Sequence, residues 1–353
     1  MNLPLSMTES IAFRLRSLYR RYGYSQYKMS KFEEYDLYAR NKDFLLSENV
    51  ITFTDLSGKL LALKPDVTLS IVKNSRDDAV GLQKLYYHEN VYRVSKNSQG
   101  FREIQQVGLE CLGNIDDYCI LEVLQLAQKS LEQISGDSVL EVSHLGLISA
   151  LTENLSADRK AEIFRCVGSK NAHELLAVCK EAGVEDKIAE ILKALTAIGG
   201  APDTVLPRVK ALLTGIVDTK PLALLEQLSS LLGGKLRIDF SVVDDIHYYN
   251  GIVFKGFVRG VPDAVLSGGQ YDKLMQKLKR QSAAIGFAVY LDLLERLEQA
   301  PEEYDVDTVL LYTDEPISQI NAAAKALMES GKSVAVYRQI PDGLRYREAK
   351  TVR

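Results

Sequence analysis

The stretch LYYHENVYRVSKNSQGFREIQQVGLECLG, from Leu85 to Gly113, gives the clearest indication of fold class in this 353-residue chain. LYYHENVYRV and REIQQVGLECLG are rich in β-branched and aromatic residues, and they flank the polar connection SKNSQG. This pattern predicts an antiparallel hairpin. Gln106, Gly108 and Glu110 follow the two-residue period of a strand, so we expect them to share one face of it.

Polar side chains on this hairpin are suited to binding a small zwitterion. Arg93 and Arg102 lie on opposite strands of the predicted hairpin, and Gln106 and Glu110 follow on the second strand. A guanidinium suits a carboxylate, and a carboxylate suits an ammonium group. The alternative interpretation is a solvated sheet face without a ligand.

The residues before this hairpin predict a helix, a second hairpin and the start of another helix. Apolar residues at helical spacing predict a helix capped by Thr8 and ending near Gly23. VITFTD, SGK and LLALKP predict a hairpin from Val50 to Leu63. In KPDVT (Lys64–Thr68), Asp66 either captures the ammonium group of a ligand or simply caps the helix that starts there.

The residues after the hairpin complete an α+β pattern. Asp116 or Asp117 is predicted to cap a long helix through Ile134, and the chain from about Leu145 to Leu232 is almost wholly helical. Strands return at KLRIDFSVV, GIVFKGFV and AAIGFAVY, and a short β-α-β segment follows. An antiparallel sheet flanked by helices and interrupted by a helical block is an α+β arrangement. We therefore predict the first part of a core domain over 1–144, a helical insertion over 145–232, the second part of the core over 233–300, and a partial α/β segment over 301–353.

Composition sets broad limits on function. The 46% hydrophobic and 25% charged residues are ordinary globular values, and the net charge of -4 weighs against a dedicated nucleic-acid binder. We find no apolar run long enough to span a bilayer and no signal peptide, so a cytoplasmic protein is expected. The four cysteines form no CxxC motif, and we expect them to be reduced and buried.

The stretch VVDDIHYYNGIVF (Val242–Phe254) combines chemically reactive residue types with a strong strand signal. Strand alternation would point Asp244 and Asp245 to opposite faces, which argues against a cooperating carboxylate pair. His247 has no second ligand at metal-binding spacing, so no metal site is predicted. Asn250-Gly251 indicates either a hairpin turn or a bulge in a long strand.

The glycine-rich stretch LSGGQYD does not indicate a nucleotide site. It lacks the GxxxxGK[ST] pattern, and it is not placed as a GxGxxG turn between a strand and a helix. Adjacent glycines in a β context more often allow the backbone to approach a ligand or a neighbouring strand. We expect no cofactor.

Taken in order, five segments resemble the catalytic core of histidyl-tRNA synthetase, a class II aminoacyl-tRNA synthetase. They are LALKPDVT, VYR with REIQQVGLE, HYYNGIVFKGF, SGGQYDKL and AAIGFAVYLDLL, and the resemblance covers about residues 5–300. It implies a six-stranded antiparallel sheet flanked by helices. It also implies a histidine-binding pocket formed by Asp66, Thr68, Arg93, Gln106, Glu110, Tyr248 and Tyr249.

The resemblance assigns a role to most of these residues. Asp66, Gln106 and Glu110 would hold the amino group of histidine, and Arg93 would reach its carboxylate. Tyr248 and Tyr249 would pack against the imidazole.

Departures from the synthetase pattern fall on the residues that serve adenylation. Asp244 stands in place of an arginine, and this charge reversal would repel ATP phosphates. Leu293 and Gln270 replace two further arginines, while Tyr290 and Asp292 replace a glycine and a glutamate. These replacements imply that the chain has no catalytic residues of its own.

PDVT, YYNGIVFKGF, GFAVYLDLL and FRCVGSKNAHELLAV are similar to the regulatory-subunit family of ATP phosphoribosyltransferase. This similarity implies a subunit without catalytic activity that joins a short-form catalytic subunit in a hetero-octamer. The assembly would perform the first step of histidine biosynthesis under feedback control by L-histidine, with no tRNA binding and no membrane. Histidine could act in the synthetase-like pocket or at a subunit interface. The alternatives are a histidyl-tRNA synthetase and a synthetase-like paralogue with another amino-acid-binding role.

Overall fold

A computed structural model gives the fold of the chain, which divides into two compact units, Met1–Leu297 and Glu298–Arg353. The division into four parts stays a prediction. Asp244, Asp245 and His247 lie outside the described residues. The structure describes residues 5–41, 50–75, 81–94, 100–243, 248–297 and 304–352.

The first unit contains two sheets and most of the helices. Its strands are β1 (Ser25–Gln26), β2 (Phe32–Glu34), β3 (Thr52–Thr54), β4 (Leu60–Leu63), β5 (Leu82–Val94), β6 (Phe101–Gly113), β7 (Ser138–His144), β8 (Gly199–Gly200), β9 (Leu236–Asp239), β10 (Ile252–Val258), β11 (Leu266–Gln270) and β12 (Ala283–Tyr290). Its helices are α1 (Met7–Arg21), α2 (Tyr35–Ala39), α3 (Thr68–Asn74), α4 (Asp117–Ile134), α5 (Leu145–Leu151), α6 (Ala157–Gly168), α7 (Ala172–Glu181), α8 (Asp186–Ala197), α9 (Pro202–Leu213), α10 (Lys220–Leu232) and α11 (Asp272–Lys277), and a 3-10 helix spans Asp292–Leu297.

The large sheet has the strand order β1-β5-β6-β12-β11-β10-β7-β9-β8 in the described part of the chain. The six strands from β5 to β7 in this order pair antiparallel throughout, which confirms the predicted antiparallel sheet. The sheet is larger than predicted because β1 pairs parallel with β5, β9 pairs parallel with β7, and β8 pairs antiparallel with β9.

The hairpin predicted around SKNSQG is formed by β5 and β6. Arg93 pairs with Arg102 across it, and Tyr87 pairs with Gly108. Gln106 and Glu110 are each only 2% exposed, so the interpretation of their strand face as a solvated surface is wrong. The face is buried because the small sheet and α3 contribute a second core cluster that packs against it.

The Asn250-Gly251 pair is neither of the two features considered for it. Strands β9 and β10 lie on opposite sides of β7, so this pair does not connect adjacent strands as a hairpin turn. It also precedes the first residue of β10, so it is not a bulge within that strand. The Asn250 side chain instead bonds to Asp272, with its Nδ2 3.0 Å from Oδ2.

Helix caps follow the predicted chemistry with one shift in position. The cap of α1 is Ser6 rather than Thr8, because Ser6 Oγ accepts from the Glu9 amide and the Glu9 carboxylate accepts from the Ser6 amide. This reciprocal pair is a capping box. Asp116 caps α4 as predicted, accepting from the Cys119 amide at 2.8 Å.

The main core joins the helices from α5 to α10 with one face of the large sheet. Buried Leu109 and Phe254 of the sheet belong to the same cluster as Phe164 and Leu225 of the helices. All four cysteines are free and buried, as expected. No helix among the described residues is long and apolar enough to cross a membrane.

The second unit is a small α/β segment. Strands β13 (Val306–Leu311), β14 (Val334–Tyr337) and β15 (Tyr346–Thr351) form a parallel sheet in the order β14-β13-β15, and α12 (Ile317–Glu329) packs on it. The predicted β-α-β segment is confirmed, and β15 was not predicted.

Candidate ligand-binding site

A cavity of about 260 Å³ lies over the buried face of β6 and β12. All seven residues predicted to bind histidine line it, and they come from separate segments of the chain. The loop before α3, the α3 terminus, β5, β6 and the segment before β10 each contribute. The seven are Asp66, Thr68, Arg93, Gln106, Glu110, Tyr248 and Tyr249.

The pairing of β6 with β12 sets the order of the residues along the floor of this cavity. Gln106 and Glu110 lie on β6, and their partners on β12 are Tyr290 and Gly286. Because side chains alternate across a strand, these positions face the cavity together. The cavity therefore has a Gln106 end and a Glu110 end, with Gly108 between them.

The Glu110 carboxylate is held by two hydroxyl donors. Thr68 Oγ1 donates to Oε1 at 2.7 Å, and the Tyr271 hydroxyl donates to Oε2 at 2.6 Å. Burial raises the pKa of Glu110 to about 8, although both hydrogen bonds act in the opposite direction. The carboxylate sits against Gly286, where a Cβ would lie 1.8 Å from Oε2. Glycine at position 286 is therefore required by the position of Glu110.

Asp66 and Arg93 form an ion pair at the wall of the cavity. The Arg93 Nη2 atom lies 3.6 Å from Asp66 Oδ2, and Arg93 Nε donates to the Pro65 carbonyl at 2.7 Å. Burial raises the pKa of Asp66, and the Arg93 charge partly offsets this. Asp66 Oδ1 also accepts from the Leu69 amide at 2.8 Å, so it caps the first turn of α3 as well as lining the cavity.

Gln106 presents an unused donor. It is 2% exposed, and its Nε2 has no hydrogen-bond partner among the described residues. Leaving a buried amide donor unpaired costs roughly 1–3 kcal/mol. A ligand acceptor beside Gln106 would remove this cost.

Three tyrosines form an aromatic wall. The rings of Tyr248 and Tyr249 have centroids 4.7 Å apart, and the rings of Tyr248 and Tyr271 have centroids 5.7 Å apart. Tyr248 is buried, and burial raises its pKa well above the ordinary value, so it is a neutral phenol. A planar, partly polar group fits such a wall because the ring faces and edges offer complementary charge.

Positions that depart from the synthetase pattern serve structural contacts in the described residues. Gln270 Oε1 accepts from the Ile252 amide at 2.8 Å. Leu293 packs against the main hydrophobic core. The Tyr290 hydroxyl lies 2.7 Å from Ser267 Oγ. None of these three presents a positive charge to the cavity.

Five further polar side chains among the described residues line the cavity and were not predicted to bind the ligand, and one of them, Tyr290, was noted only as the replacement of a synthetase glycine. Tyr271 lies in the quoted motif SGGQYD, but only its contact with Glu110 shows its role. Tyr87 pairs with Gly108, so register from the predicted hairpin could have found it. Lys255 and Ser267 are cross-strand partners on β10 and β11, and their pairing was not predictable from local sequence.

Comparisons with known proteins agree with this fold. The family model described as histidyl-tRNA synthetase matches residues 5–294. Two similar proteins are each named ATP phosphoribosyltransferase regulatory subunit. The one from Oceanobacillus iheyensis is 26% identical over 291 residues, covering 80% of this chain and 71% of the relative. The one from Clostridium kluyveri is 28% identical over 336 residues, covering 90% and 85%.

Solved structures of low sequence identity share the fold. An ATP phosphoribosyltransferase regulatory subunit/histidyl-tRNA synthetase from Bacillus halodurans gives a TM-score of 0.77 at 21% identity, covering 99% of this chain and 96% of that one. Histidyl-tRNA synthetase from Nostoc gives a TM-score of 0.75 at 15% identity, covering 96% of this chain and 83% of that one. A chain of the ATP phosphoribosyl transferase (HisG:HisZ) complex from Thermotoga maritima gives a TM-score of 0.62 at 19% identity, covering 79% of this chain and 96% of that one. With the family model matched over residues 5–294, this chain belongs to the histidyl-tRNA synthetase family.

Proposed function

We propose that this chain is a non-catalytic regulatory subunit of ATP phosphoribosyltransferase that binds L-histidine in the cavity described above. It would act in the cytoplasm with a short-form catalytic subunit, in a hetero-octamer. The observation that carries the proposal is the convergence of the seven predicted residues around one cavity. The names of the relatives support the same assignment.

The charges in the cavity match a free amino acid. The carboxylate and the ammonium group of an amino acid share one carbon, so they must meet neighbouring groups of the protein. Arg93 and Asp66 are such neighbours, with 3.6 Å between Nη2 and Oδ2. Arg93 would bind the carboxylate and Asp66 the ammonium group, with Gln106 Nε2 as a second donor to the carboxylate.

The far end of the cavity suits an imidazole. Glu110 lies away from Arg93 along the floor, because three ladder pairs lie between the Arg93 pair and the Gln106 pair, and Gly108 separates Gln106 from Glu110. A ligand with its carboxylate on Arg93 would therefore extend its side chain toward Glu110. We assign the imidazole N–H, rather than the amino group, to the Glu110 carboxylate, and the ring to Tyr248 and Tyr249.

The volume favours one amino acid over an amino acid joined to a nucleotide. Pockets for drug-sized ligands occupy roughly 300–1,000 Å³, and this cavity of about 260 Å³ lies below that range.

The absence of adenylation chemistry rests on the residues that replaced the arginines. Adenylation builds negative charge on transferring phosphate, which needs fixed positive groups. Gln270 and Leu293 are engaged in a backbone hydrogen bond and in core packing. Asp244, outside the described residues, would add a negative charge.

Regulation requires that histidine binds one state of the assembly better than another, because a ligand with equal affinity for both states shifts nothing. The test is reconstitution with the short-form catalytic subunit encoded in the same genome. We expect the phosphoribosyl transfer from phosphoribosyl pyrophosphate to ATP to rise on adding this chain, and L-histidine to inhibit the complex. A rate and a histidine response that do not change on adding the chain would contradict the proposal.

A histidine-dependent exchange of pyrophosphate into ATP separates this proposal from the second candidate, a histidyl-tRNA synthetase. The family match and the retained pocket favour that candidate, whereas positions 270 and 293 do not. We expect no exchange above the rate without histidine. Exchange by the purified chain would favour the synthetase.

A further inference from the structure

Tyr290 occupies a distinct place at one end of the cavity. It is the last residue of β12 and pairs with Gln106 of β6. Gly286 and Ala288 precede it on the same strand face and also line the cavity. Side-chain size on this face of β12 thus increases from glycine at the Glu110 end, through alanine, to tyrosine at the Gln106 end.

The Tyr290 ring reaches across to the neighbouring strand. Its hydroxyl lies 2.7 Å from Oγ of Ser267 on β11, although Ser267 pairs with Ala288 rather than with Tyr290. The side chain therefore leans toward the interior of the floor. We call this hydrogen-bonded pair the Tyr290–Ser267 bridge.

The bridge lies at the end of the cavity that would hold the carboxylate of a bound amino acid. Gln106 Nε2 is an unpartnered donor at this end, and Arg93 lies farther along the same direction on β5. An ester or anhydride of the amino acid would carry its additional group from this carboxylate. Such a group must pass Tyr290, Ser267 and the neighbouring Lys255, all of which line the cavity.

We infer that the Tyr290–Ser267 bridge is a specificity determinant that admits a free amino acid and excludes one extended at its carboxylate by a nucleotide. This inference rests on the proposed function of the cavity. A tyrosine ring held by a hydrogen bond is a steric obstacle that cannot be moved without losing that bond. The exclusion acts on binding and is separate from the loss of the adenylation arginines.

The test compares two ligands by isothermal titration of the purified full chain. One is L-histidine, and the other is histidine joined to adenosine through a non-hydrolysable sulfamoyl link. We expect the wild-type chain to bind L-histidine about tenfold or more tightly than the adenosine conjugate. In Tyr290→Gly we expect the affinity for the conjugate to rise at least about tenfold. In Tyr290→Phe, which keeps the ring, we expect a smaller rise.

Tyr19→Phe is the matched control for Tyr290→Phe, because it removes the hydroxyl from another tyrosine–serine pair, Tyr19 with Ser130 at 3.0 Å, that does not line the cavity. We expect its ratio of the two affinities to equal that of wild type, and circular dichroism checks that each variant is folded. Equal binding of both ligands by wild type, or an unchanged ratio in Tyr290→Gly, would overturn the inference. If Tyr290→Gly raised the affinity for the conjugate while wild type did not bind histidine, the role of the bridge in excluding the conjugate would be supported and the proposed function contradicted. Binding of neither ligand to any variant would contradict both.

Discussion

The hydroxyl of Tyr271 donates to Glu110 Oε2 at 2.6 Å across 161 residues of sequence. The bond joins β6 to the residue between β11 and α11, at the buried end of the cavity. Both side chains are 2% exposed, so water does not replace this bond when it is lost. The shape of the Glu110 end therefore depends on the complete sheet rather than on any local segment.

Tyr271→Phe should lower both stability and histidine affinity. The substitution leaves Glu110 with one donor fewer, at a cost of about 1–3 kcal/mol in the free energy of unfolding. Tyr19→Phe is the matched control, because buried Tyr19 bonds to Ser130 at 3.0 Å away from the cavity. We expect Tyr19→Phe to lose comparable stability in urea denaturation and to bind histidine as wild type does. Equal affinity loss in both variants would contradict a role of Tyr271 in the site.

Glu110 should make the folded state less stable as pH rises. Its pKa is raised to about 8 from an ordinary value of 4.5, so the folded chain holds a proton that the unfolded chain releases between these values. The contribution of Glu110 to the free energy of unfolding is fully present below pH 4.5. It decreases by at most about 1.4 kcal/mol per pH unit as the pH rises to 8. Glu110→Gln should remove this slope. Chemical denaturation from pH 5 to 8 checks it, and parallel slopes for the two proteins would refute the assignment.

Gly286→Ala should be strongly destabilising. The added Cβ would lie 1.8 Å from Glu110 Oε2 and 2.5 Å from the Leu109 carbonyl oxygen, so strand and carboxylate cannot both keep their positions. Forced overpacking of this kind costs about 1–3 kcal/mol or more. Gly136→Ala is the control, because nothing lies within 4 Å of its Cβ position. Melting temperatures compare the two, and a melting temperature of Gly286→Ala equal to wild type would show that Glu110 is not held as described.

Arg93→Met should weaken histidine binding by about tenfold or more, since a hydrogen bond to a charged group contributes roughly 1.5–3 kcal/mol. It should also raise the pKa of Asp66 further, because the Arg93 charge opposes the effect of burial there. Arg102→Met is the control, because Arg102 carries the same charge and is the cross-strand partner of Arg93. The Arg102 side chain is exposed and does not line the cavity. We expect unchanged binding in this control. Equal losses in the two variants would indicate a general charge effect.

Local pattern predicted most elements of the fold and the part of the site that lies on one strand. The two-residue period placed Gln106 and Glu110 on a shared face, and both line the cavity. The hydroxyl chemistry of caps was correct, but Ser6 rather than Thr8 caps α1, because the reciprocal bond to Glu9 needs a three-residue spacing. Strand β15 was missed because YREAKT is mostly polar, and it forms by parallel pairing with the distant β13.

Contacts between distant segments could not be read from local sequence. Tyr271 meets Glu110 only because β11 pairs with β12 and β12 with β6. The bond between Tyr290 and Ser267 likewise depends on the lean of one side chain across a strand pair. The resemblance to a known family supplied Asp66, Tyr248 and Tyr249, which periodicity alone left open between capping, packing and binding.

Calorimetric titration of L-histidine into the purified chain, without its partner, tests whether this cavity binds histidine. We predict saturable binding at one site per chain for wild type, weakened by Arg93→Met and unaffected by Arg102→Met. The absence of a binding isotherm for wild type, or an affinity that is the same in all three proteins, would contradict the assignment of this cavity as the histidine site.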